Sequence, residues 1–395
     1  MNTSQDIYVL SACRTPIGSF GGTLKDTPAV DLGTLVVTES ITRAGITPKD
    51  IDEVILGCVL SAGLGQNIAR QIAVKAGIPV TVPAMTLNMV CGSGMKTVVE
   101  AARAIRAGDA EIIVVGGTES MSNAGFLSTT ARWGARMGHS ELSDTMLTDG
   151  LLDSFEGYHM GITAENVADG WDISREDMDE IALRSQTRAD EALRANRFHD
   201  EIVPVPLTVK REEILFDTDE YPRATSAETL RKLKPAFTPD GRVTAGNSSG
   251  INDGAAALIL ASAHVVERLG LKPMARLIGW GQAGVDPSIM GVGPIEASRK
   301  ALTAAGLTID DCDLVEANEA FAAQAAAVTK DLGLDINKLN VNGGAIALGH
   351  PIGASGARII VTLLHEMAKR DDAQRGLATL CIGGGMGIAT VFEKI

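Results

Sequence analysis

The sequence predicts an α/β fold with two similar, pseudo-symmetric halves in a layered helix and sheet core, plus an inserted loop domain. Three observations support this class of fold. Strand-like and helix-like segments alternate along the chain, the same order of segments occurs twice, and a long segment (residues 118–249) interrupts the first copy. Because alternating strands and helices are typical of parallel sheets, we expect a mostly parallel sheet between layers of helices.

The N-terminal half contains apolar runs of strand length and apolar stripes of helical spacing, each bounded by turn residues. In chain order they predict the strand Ile7–Ala12, the helix Asp31–Ala44 closed by Gly45, a strand made of Val54–Leu56 with Cys58–Leu60, the helix Ile68–Ala76, a helix from Met95 to Ile105 closed by Gly108, and the strand Glu111–Val115. This succession forms the first copy of the repeat.

Cys91 occupies the turn between a β-favouring run and the helix that begins at Met95. Three small residues, Gly92-Ser-Gly94, follow it and let another segment or a ligand approach closely. The start of a helix carries unpaired N–H groups and positive charge, which favours thiolate over thiol. Most free cysteines are inert packing residues, but this position makes Cys91 the first candidate nucleophile.

The C-terminal half repeats the same order of segments. Ala44–Val54 pairs without gaps with Ala305–Val315, and Cys91–Met95 pairs with Gly353–Ala357 at nearly the same offset. The apolar positions of the following helices stay in step. A constant offset over several elements indicates two similar halves.

The halves differ in the turn that precedes these equivalent helices. Asn342 to Ser355 is a longer stretch than Asn88 to Ser93, and the extra residues include His350. A lone histidine is usually a structural or surface residue. Here, two equivalent helices would bring their N-termini near a common centre, where His350 and Cys91 can meet, and a Cys–His pair activates a thiol as nucleophile.

The halves differ again after their last helix. The C-terminal strand Gly376–Cys381 passes through glycines directly into Gly387–Phe392, whereas residues 118–249 separate the corresponding N-terminal strands. A structureless loop of that size is uncommon inside a domain, so we expect a small ligand-binding domain over the sheet ends, with helices near Thr163–Ala168 and Arg175–Ala195. The predicted domains are 1–117 plus 250–270 for the N-terminal half, 118–249 for the insert, and 271–395 for the C-terminal half.

Two further residues lie where predicted strands end. Cys381 precedes three glycines, and Asn318 follows the strand that pairs with Val54–Leu56 in the repeat. Cys381 is either a small core residue or a thiol beside backbone N–H groups that can stabilise an oxyanion. Asn318 is either a functional residue or a turn or N-cap asparagine.

Composition argues against several classes of partner and indicates the cellular compartment. The net charge of −14 argues against nucleic acid and anionic membranes as general partners. The five cysteines form no CxxC pair, which is typical of a reducing, intracellular compartment. No apolar run reaches transmembrane length and no targeting segment is recognisable, so we expect a cytoplasmic protein. We also expect no metal site.

Taken together, the motifs resemble those of the thiolase family. The segments that carry the resemblance are Val90-Cys-Gly-Ser-Gly94, His159-Met-Gly-Ile-Thr-Ala-Glu-Asn166, Gly246-Asn-Ser-Ser-Gly-Ile-Asn-Asp-Gly254, Asn318-Glu-Ala-Phe321, Gly349-His-Pro-Ile-Gly-Ala-Ser-Gly356 and Cys381-Ile-Gly-Gly-Gly-Met-Gly387. They occur in order over nearly the whole chain, with no departure at a catalytic position. The resemblance implies reversible condensation of two acetyl-CoA molecules to acetoacetyl-CoA and free coenzyme A (CoA).

The resemblance also implies a role for each catalytic candidate. Cys91 would take the acetyl group, and His350 would lower the pKa of Cys91 and help bind the thioester oxygen with a water held by Asn318. Cys381 would exchange a proton with the second acetyl-CoA. The N–H groups of Cys91 and Gly383 would form a second oxyanion hole, and acyl transfer through a cysteine would give ping-pong kinetics.

The insert resembles the coenzyme A-binding domain of the family. The resemblance implies a pantetheine channel lined by His159, Met160, Ser249, Ala320 and Phe321, and a nucleotide end held by Arg223, Leu233 and Phe237. Coenzyme A thioesters would be substrates, and no cofactor would be bound permanently. His159 and Met290 look like those of the acetoacetyl-CoA thiolases, and we expect a bulky Met290 to shorten the acyl pocket.

Three alternatives stay open on the sequence alone. A longer-chain 3-ketoacyl-CoA thiolase would use the same chemistry in a wider pocket. A decarboxylating ketoacyl synthase would be expected to pair its cysteine with two histidines, or with a histidine and an asparagine, so Cys381 argues against it. A non-catalytic acyl-CoA or lipid-binding protein on the same fold is the alternative of another class. The family also implies a homo-oligomer, either a dimer or a tetramer.

Overall fold

The computed structural model describes residues 6–395; residues 1–5 of the predicted N-terminal half lie outside it. The strands are β1 (Ile7–Arg14), β2 (Gly18–Ser19), β3 (Glu53–Gly57), β4 (Ala84–Leu87), β5 (Ile112–Ser120), β6 (Phe126–Leu127), β7 (Ser143–Asp144), β8 (Val205–Val209), β9 (Glu212–Phe216), β10 (Asn252–Ser262), β11 (Ala275–Gly284), β12 (Leu314–Ala317), β13 (Arg375–Ile382) and β14 (Met386–Lys394). The α-helices are α1 (Ala29–Arg43), α2 (Ile68–Lys75), α3 (Ser93–Ala107), α4 (Met160–Gly170), α5 (Arg175–Arg194), α6 (Ala227–Arg231), α7 (Ala263–Leu269), α8 (Gly293–Ala305), α9 (Ala322–Leu332), α10 (Ala345–Leu348) and α11 (Ile352–Lys369).

The central sheet confirms the predicted pseudo-symmetry. Its strand order is β12-β13-β14-β11-β1-β10-β5-β3-β4, with β2 paired to β10 off this path. When strands are counted outward from the short β11–β1 pairing, β14 and β10 occupy equivalent positions in the two halves. The same holds for β13 with β5 and for β12 with β3. Each half therefore repeats one arrangement of strands, and the two arrangements meet at the pair formed by the first strand of each half.

The expectation of a mostly parallel sheet is wrong. Only the β12–β13, β5–β3 and β3–β4 pairs are parallel, whereas the five pairs from β13 through β14, β11, β1 and β10 to β5 are antiparallel. The connections explain the difference. A helical crossover returns a strand in the same direction, but the glycine turn between β13 and β14 reverses the chain, and β10 re-enters the sheet antiparallel to β5.

The helices form layers around the sheet. Helices α3 and α11 lie between the two half-sheets, where Val98 and Ile360 share one apolar cluster with Ile113 of β5 and Leu380 of β13. Helices α1 and α2 cover the opposite face of the N-terminal half-sheet, and α8 and α9 cover that of the C-terminal half-sheet. The predicted layered core is thereby confirmed, with a helix pair at its centre.

The two central helices approach closely at a pair of equivalent glycines. A Cβ atom added to Gly94 would lie 2.7 Å from the backbone N of Ala357, and one added to Gly356 would lie 2.5 Å from the backbone N of Met95. Real Cβ contacts are not that short, so both positions need glycine for backbone-to-backbone packing. This crossing brings the first turns of α3 and α11 together.

The segment Cys58–Leu60 is not a strand, contrary to prediction, because β3 ends at Gly57. The backbone N–H groups of Val59 and Leu60 each donate to the Glu119 carboxylate at 3.0 Å. Glu119 also accepts from the N–H of Gly353 in α11 at 2.9 Å. The loop is therefore tied to the start of the central helix rather than to a neighbouring strand.

The insert packs on the C-terminal half. The predicted helices are present as α4 and α5, and their residues Val167 and Met178 lie in the same apolar cluster as Val328 of α9. The chain leaves the N-terminal half after β5 and returns at β10. The exact domain boundaries stay a prediction. Among residues 6–395, no helix combines the length and the apolar character needed to cross a membrane.

Candidate active site

A cavity of about 440 Å³ lies where the insert meets the N-terminal ends of α3 and α11. Its lining includes ten of the predicted site residues, namely Cys91, His159, Met160, Phe237, Ser249, Met290, Ala320, Phe321, His350 and Gly383. Both halves of the fold and the insert contribute to it. Cys91 is partly exposed, whereas the other four cysteines are buried.

The turn that presents Cys91 is strained at Val90, which has a φ of +46°. A β-branched residue is rarely found in this left-handed region, and such strain costs about 1–3 kcal/mol. Three hydrogen bonds hold the turn: Asn88 Oδ1 accepts from the Val90 N–H at 2.9 Å, and the Ser93 hydroxyl donates to the Val90 carbonyl at 2.6 Å and accepts from the Met89 N–H at 2.9 Å. Strained backbone that is held in this way is typical of functional sites.

The Cys91 thiol is not a thiolate at rest, contrary to the prediction from its position. Burial raises the pKa of Cys91 to about 11. The N–H groups of Gly383 and of Cys91 itself hydrogen bond to the sulfur and lower this pKa, but they do not outweigh the loss of solvation. The sulfur therefore needs a base that can take its proton.

His350 reaches Cys91 from a loop that only glycine can build. Gly349 has a φ of +103°, and a Cβ added to it would lie 2.5 Å from the Asn252 side chain. Asn252 Oδ1 accepts from the His350 N–H at 2.9 Å, so the first residue of β10 anchors the loop. This anchoring places the buried imidazole against the sulfur of the other half.

His350 Nε2 lies 3.3 Å from Cys91 Sγ, and His350 Nδ1 lies 2.6 Å from Ser355 Oγ. The Ser355 hydroxyl donates to the Pro351 carbonyl at 2.9 Å, so its oxygen accepts from Nδ1–H. The Nε2 lone pair then faces the thiol. Burial, and next the charge of Arg358, lower the pKa of His350 to about 3, so the resting imidazole is neutral and its Nε2 lone pair is free to accept a hydrogen bond from the thiol.

Asn318 lies directly beside this pair, with its Nδ2 3.5 Å from His350 Nδ1. Because Nδ1–H is given to Ser355, this is a packing contact rather than a hydrogen bond. The buried Asn318 Oδ1 has no hydrogen-bond partner within residues 6–395. The neighbouring Glu319 fixes the segment, since its carboxylate accepts from the Ser185 hydroxyl at 2.6 Å and from Asn340 Nδ2 at 2.9 Å.

Cys381 is the last residue but one of β13 and lies two residues before Gly383, whose N–H faces the Cys91 sulfur. Burial raises the pKa of Cys381 well above its usual range, and a negative charge on Cys91 would raise it further. Unlike Gly383, Cys381 is not among the residues that line the cavity. Cys381 is fully buried and is thus a thiol at neutral pH.

The wall of the cavity formed by the insert is built from stacked rings. The His159 and Phe237 rings stack at 4.6 Å, and Phe237 meets Phe321 edge-on at 6.2 Å. His159 Nδ1 accepts from the Gly161 N–H at 3.0 Å, and burial lowers the pKa of the ring, so His159 is neutral with its proton on Nε2. The site thus has a hydrogen-bond donor on an apolar wall.

Arg223 and Leu233 do not line the cavity. Arg223 donates to the carbonyl of Ala245, a lining residue, at 3.1 Å and lies over the Tyr221 ring at 5.1 Å. Leu233 packs on the large cluster that includes Met160. Arg223 is exposed and Leu233 is half-buried. No set of three or more His, Cys, Asp or Glu side chains within residues 6–395 is arranged to hold a metal ion.

Sequence reasoning missed three residues of this site: Ser355, Asn252 and the strained Val90. A signal existed for Ser355, because it is the equivalent of Ser93 in the repeat and follows His350 at the start of a helix. Asn252 lies in the motif Gly246–Gly254, but nothing in that motif indicates its contact with the histidine loop, which spans almost a hundred residues of sequence.

A histidine that fixes its own tautomer through a serine and turns its free nitrogen to a thiol defines a class of protein: enzymes with a cysteine nucleophile. Comparison with known proteins identifies the family within that class. The thiolase N-terminal domain matches residues 7–264 and the thiolase C-terminal domain matches residues 271–394. The chain belongs to the thiolase family, and the resemblance predicted from its motifs is confirmed.

Full-length relatives from two bacteria are named acetyl-CoA acetyltransferase. An acetyl-CoA acetyltransferase of Syntrophomonas wolfei is 58% identical and one of Pseudomonas aeruginosa is 57% identical, each over 99% of this chain and 100% of its own length. The crystal structure of the Bacillus anthracis acetyl-CoA acetyltransferase superposes with a TM-score of 0.97 at 46% identity, covering 100% of both chains. The crystal structure of human mitochondrial 3-ketoacyl-CoA thiolase superposes with a TM-score of 0.95 at 43% identity, covering 98% of both chains.

Proposed function

We propose that this protein is an acetyl-CoA acetyltransferase, which reversibly condenses two acetyl-CoA molecules to acetoacetyl-CoA and free CoA. The observation that carries the proposal is the 3.3 Å contact between Cys91 Sγ and the unprotonated Nε2 of His350. The names of the full-length relatives support the choice of acetyl-CoA as substrate.

In the first half-reaction, Cys91 Sγ attacks the acetyl carbonyl and its proton moves to His350 Nε2. The bond from the carbonyl carbon to the CoA sulfur breaks, and Cys381, a thiol at rest, protonates the leaving thiolate. The enzyme is then acetylated on Cys91, with an imidazolium at His350 and a thiolate at Cys381. The N–H groups of Cys91 and Gly383, already directed at the sulfur, would hold the carbonyl oxygen of the acetyl-enzyme.

In the second half-reaction, the Cys381 thiolate removes a proton from the methyl group of a second acetyl-CoA. The imidazolium, together with a water held by Asn318, stabilises the enolate oxygen. The unpartnered Asn318 Oδ1 supports that role. The enolate carbon then attacks the acetyl group, the Cys91 thiolate leaves, and His350 returns its proton. Both thiols and the neutral imidazole are restored.

A labelling experiment separates the two cysteines. Cys91→Ser should fail to take label from [¹⁴C]acetyl-CoA, because a hydroxyl of very high pKa cannot be activated as the thiol is; turnover should fall at least ~10³-fold. Cys381→Ala should still accept label on Cys91 but condense it at least ~10²-fold more slowly, since the base is lost. Cys312→Ala removes a buried thiol outside the cavity and serves as control. Normal condensation by Cys381→Ala would refute its role.

The alternative is a longer-chain 3-ketoacyl-CoA thiolase, the name carried by the human neighbour. Buried Met290 lines the cavity and supports the short-chain choice. Thiolysis rates over a series from acetoacetyl-CoA to 3-ketohexadecanoyl-CoA should fall steeply with chain length. Met290→Ala should flatten the series by admitting longer chains, and comparable wild-type rates on the C16 substrate would favour the alternative.

The same proposal assigns the insert 118–249 to coenzyme A binding, with His159, Met160, Ser249, Ala320 and Phe321 along the pantetheine and Arg223, Leu233 and Phe237 towards the nucleotide. Coenzyme A thioesters are then substrates, and no cofactor is permanently bound.

The free cysteines support a reducing, cytoplasmic location. Exposed Trp133, Met137 and Leu142 support a homo-oligomer, dimer or tetramer, which light scattering can distinguish.

A further inference from the structure

The start of α11 lies in a slot at the ends of β3 and β5. Gly57 and Gly117 are register partners on these two parallel strands, and both lie against the carbonyl group of Gly353 in the first turn of α11. A Cβ added to Gly57 would lie 2.9 Å from that carbonyl oxygen, and one added to Gly117 would lie 2.9 Å from the carbonyl carbon. Real Cβ contacts are not that short, so both positions need glycine for the helix to begin this close to the sheet.

The Glu119 carboxylate, also on β5, binds the N–H group of Gly353 and is fully buried. Its Oε2 accepts from the N–H groups of Gly353 at 2.9 Å and of Val59 at 3.0 Å. Its Oε1 accepts from the Leu60 N–H at 3.0 Å and from the Cys58 thiol at 3.6 Å. Four donors around one side chain fit an ionised carboxylate, because that group only accepts hydrogen bonds.

The two reactive groups of the site lie on the segments that this carboxylate joins. Gly353 is three residues beyond His350, and Ser355 of the same helical turn binds the imidazole at 2.6 Å. On the other side, Leu60 packs in one apolar cluster with Cys91. The carboxylate therefore connects the surroundings of the thiol, from one half of the fold, with the helix start that supports its base, from the other half.

We propose that Glu119 is a positioning residue for the Cys91–His350 pair: its carboxylate fixes the start of α11 on the ends of β3 and β5, and so sets the imidazole against the thiol. Glu119 is not among the residues that line the cavity, so it acts through Gly353 rather than on the substrate. The inference rests on the proposed function for the reaction that the pair performs. Loss of the carboxylate should slow the step that uses the pair and leave substrate binding unchanged.

Glu119→Gln tests this directly. The glutamine side chain can turn its carbonyl oxygen to only one pair of donors, and its NH₂ group then faces the other pair. The start of α11 should shift, and we expect single-turnover acetylation of Cys91 to slow at least about tenfold at unchanged KM for acetyl-CoA, since a displacement of about 1 Å between reacting groups costs about 10²-fold in rate. The rates are compared at pH 8, above the pKa of Glu119, which burial raises to about 7.

Alkylation of Cys91 by iodoacetamide tests the inference without any thioester. Cys91 is the partly exposed cysteine, and mass spectrometry of the labelled peptide measures the rate. After burial, the negative charge of Glu119 also raises the pKa of Cys91, so loss of that charge alone would speed alkylation. A displaced base should instead slow alkylation about tenfold, because the thiol loses the group that activates it. A wild-type protein that does not acetylate Cys91 would refute the proposed function and leave this comparison intact.

Asp52→Asn is the matched control, because the Asp52 carboxylate also accepts from two backbone N–H groups of the β5 region, but at the end of the strand away from the cavity. The donors are Glu111 and Ile112, each at 2.8 Å. This variant should lower the unfolding temperature without slowing acetylation or alkylation.

Unchanged or faster alkylation in Glu119→Gln would overturn the inference, and so would a raised KM with an unchanged rate of acetylation. Should that variant not fold, Gly353→Ala decides, since its added Cβ would lie 2.5 Å from Glu119 Oε2 and displace the helix start with the carboxylate in place. Slower alkylation in Gly353→Ala supports the inference, and an unchanged rate contradicts it.

Discussion

The turns before α3 and α11 occupy equivalent positions in the two halves, yet they present different groups. Before α3, the short turn exposes Cys91 through a strained Val90, and Ser93 closes that turn on itself. Before α11, the longer turn carries His350, and the equivalent Ser355 binds its imidazole. Serines that are equivalent in the repeat therefore support the backbone in one half and a side chain in the other.

This difference shows how a repeated fold builds a site that neither copy contains. The glycine crossing of α3 and α11 brings both first turns to one point, and the extra length of the second turn lets it reach across. The thiol comes from one half and its base from the other. We therefore expect the activity to depend on the relative position of the halves as well as on each reactive group.

The largest effect within this comparison should come from Gly356→Ala. The added Cβ would lie 2.5 Å from the backbone N of Met95, so the two helices must separate. Overpacking of this kind costs about 1–3 kcal/mol of folding stability. A displacement of about 1 Å between reacting groups costs about 10²-fold in rate, which turnover and single-turnover acetylation of Cys91 would both report.

Gly170→Ala is the control for that change, because it also adds a methyl group to a helical glycine but meets no atom within 4 Å. It should leave turnover unchanged. If Gly356→Ala acetylates Cys91 at the wild-type rate, close packing of the central helices does not set the distance between thiol and imidazole.

Ser355→Ala should have the next largest effect, about tenfold. Removing the hydroxyl deprives His350 Nδ1–H of its acceptor, and a hydrogen bond of about 1.4 kcal/mol corresponds to a factor of ten. The imidazole can then turn or change tautomer, so we expect slower acetylation of Cys91 at unchanged KM for acetyl-CoA. Pre-steady-state release of CoA measures that step.

Ser262→Ala provides the matched comparison, since it deletes another largely buried serine that accepts a hydrogen bond, here from the Val265 N–H at the start of α7. It should lower the unfolding temperature without slowing acetylation. Equal acetylation rates for Ser355→Ala and Ser262→Ala would mean that the tautomer of His350 does not depend on Ser355.

The sequence was sufficient for the repeat and for the meeting of Cys91 with His350, because both follow from local patterns and from the symmetry they imply. It was not sufficient for the direction of the strands, since the position at which β10 re-enters the sheet is decided by packing rather than by local propensity. Nor did it give the protonation state of Cys91. The helix start is a local feature, whereas the burial that raises the pKa of the thiol depends on the whole fold.

The smallest effect should be the difference between the variants Val90→Gly and Val90→Ala. Comparing them is also the sharpest test of the strained turn. Both lose the same contacts at the cavity wall, but only alanine keeps a Cβ in the left-handed region, where it costs about 1–2 kcal/mol. Glycine should therefore give the more stable protein by chemical denaturation, by up to about 1 kcal/mol after its greater freedom in the unfolded chain is subtracted. Activity should follow the opposite order, because a glycine turn no longer holds the Cys91 sulfur in one place: Val90→Gly should be about threefold to fivefold slower than Val90→Ala, a loss of about 1 kcal/mol. If alanine gave the more stable variant, the strain at Val90 would not be a property of the turn.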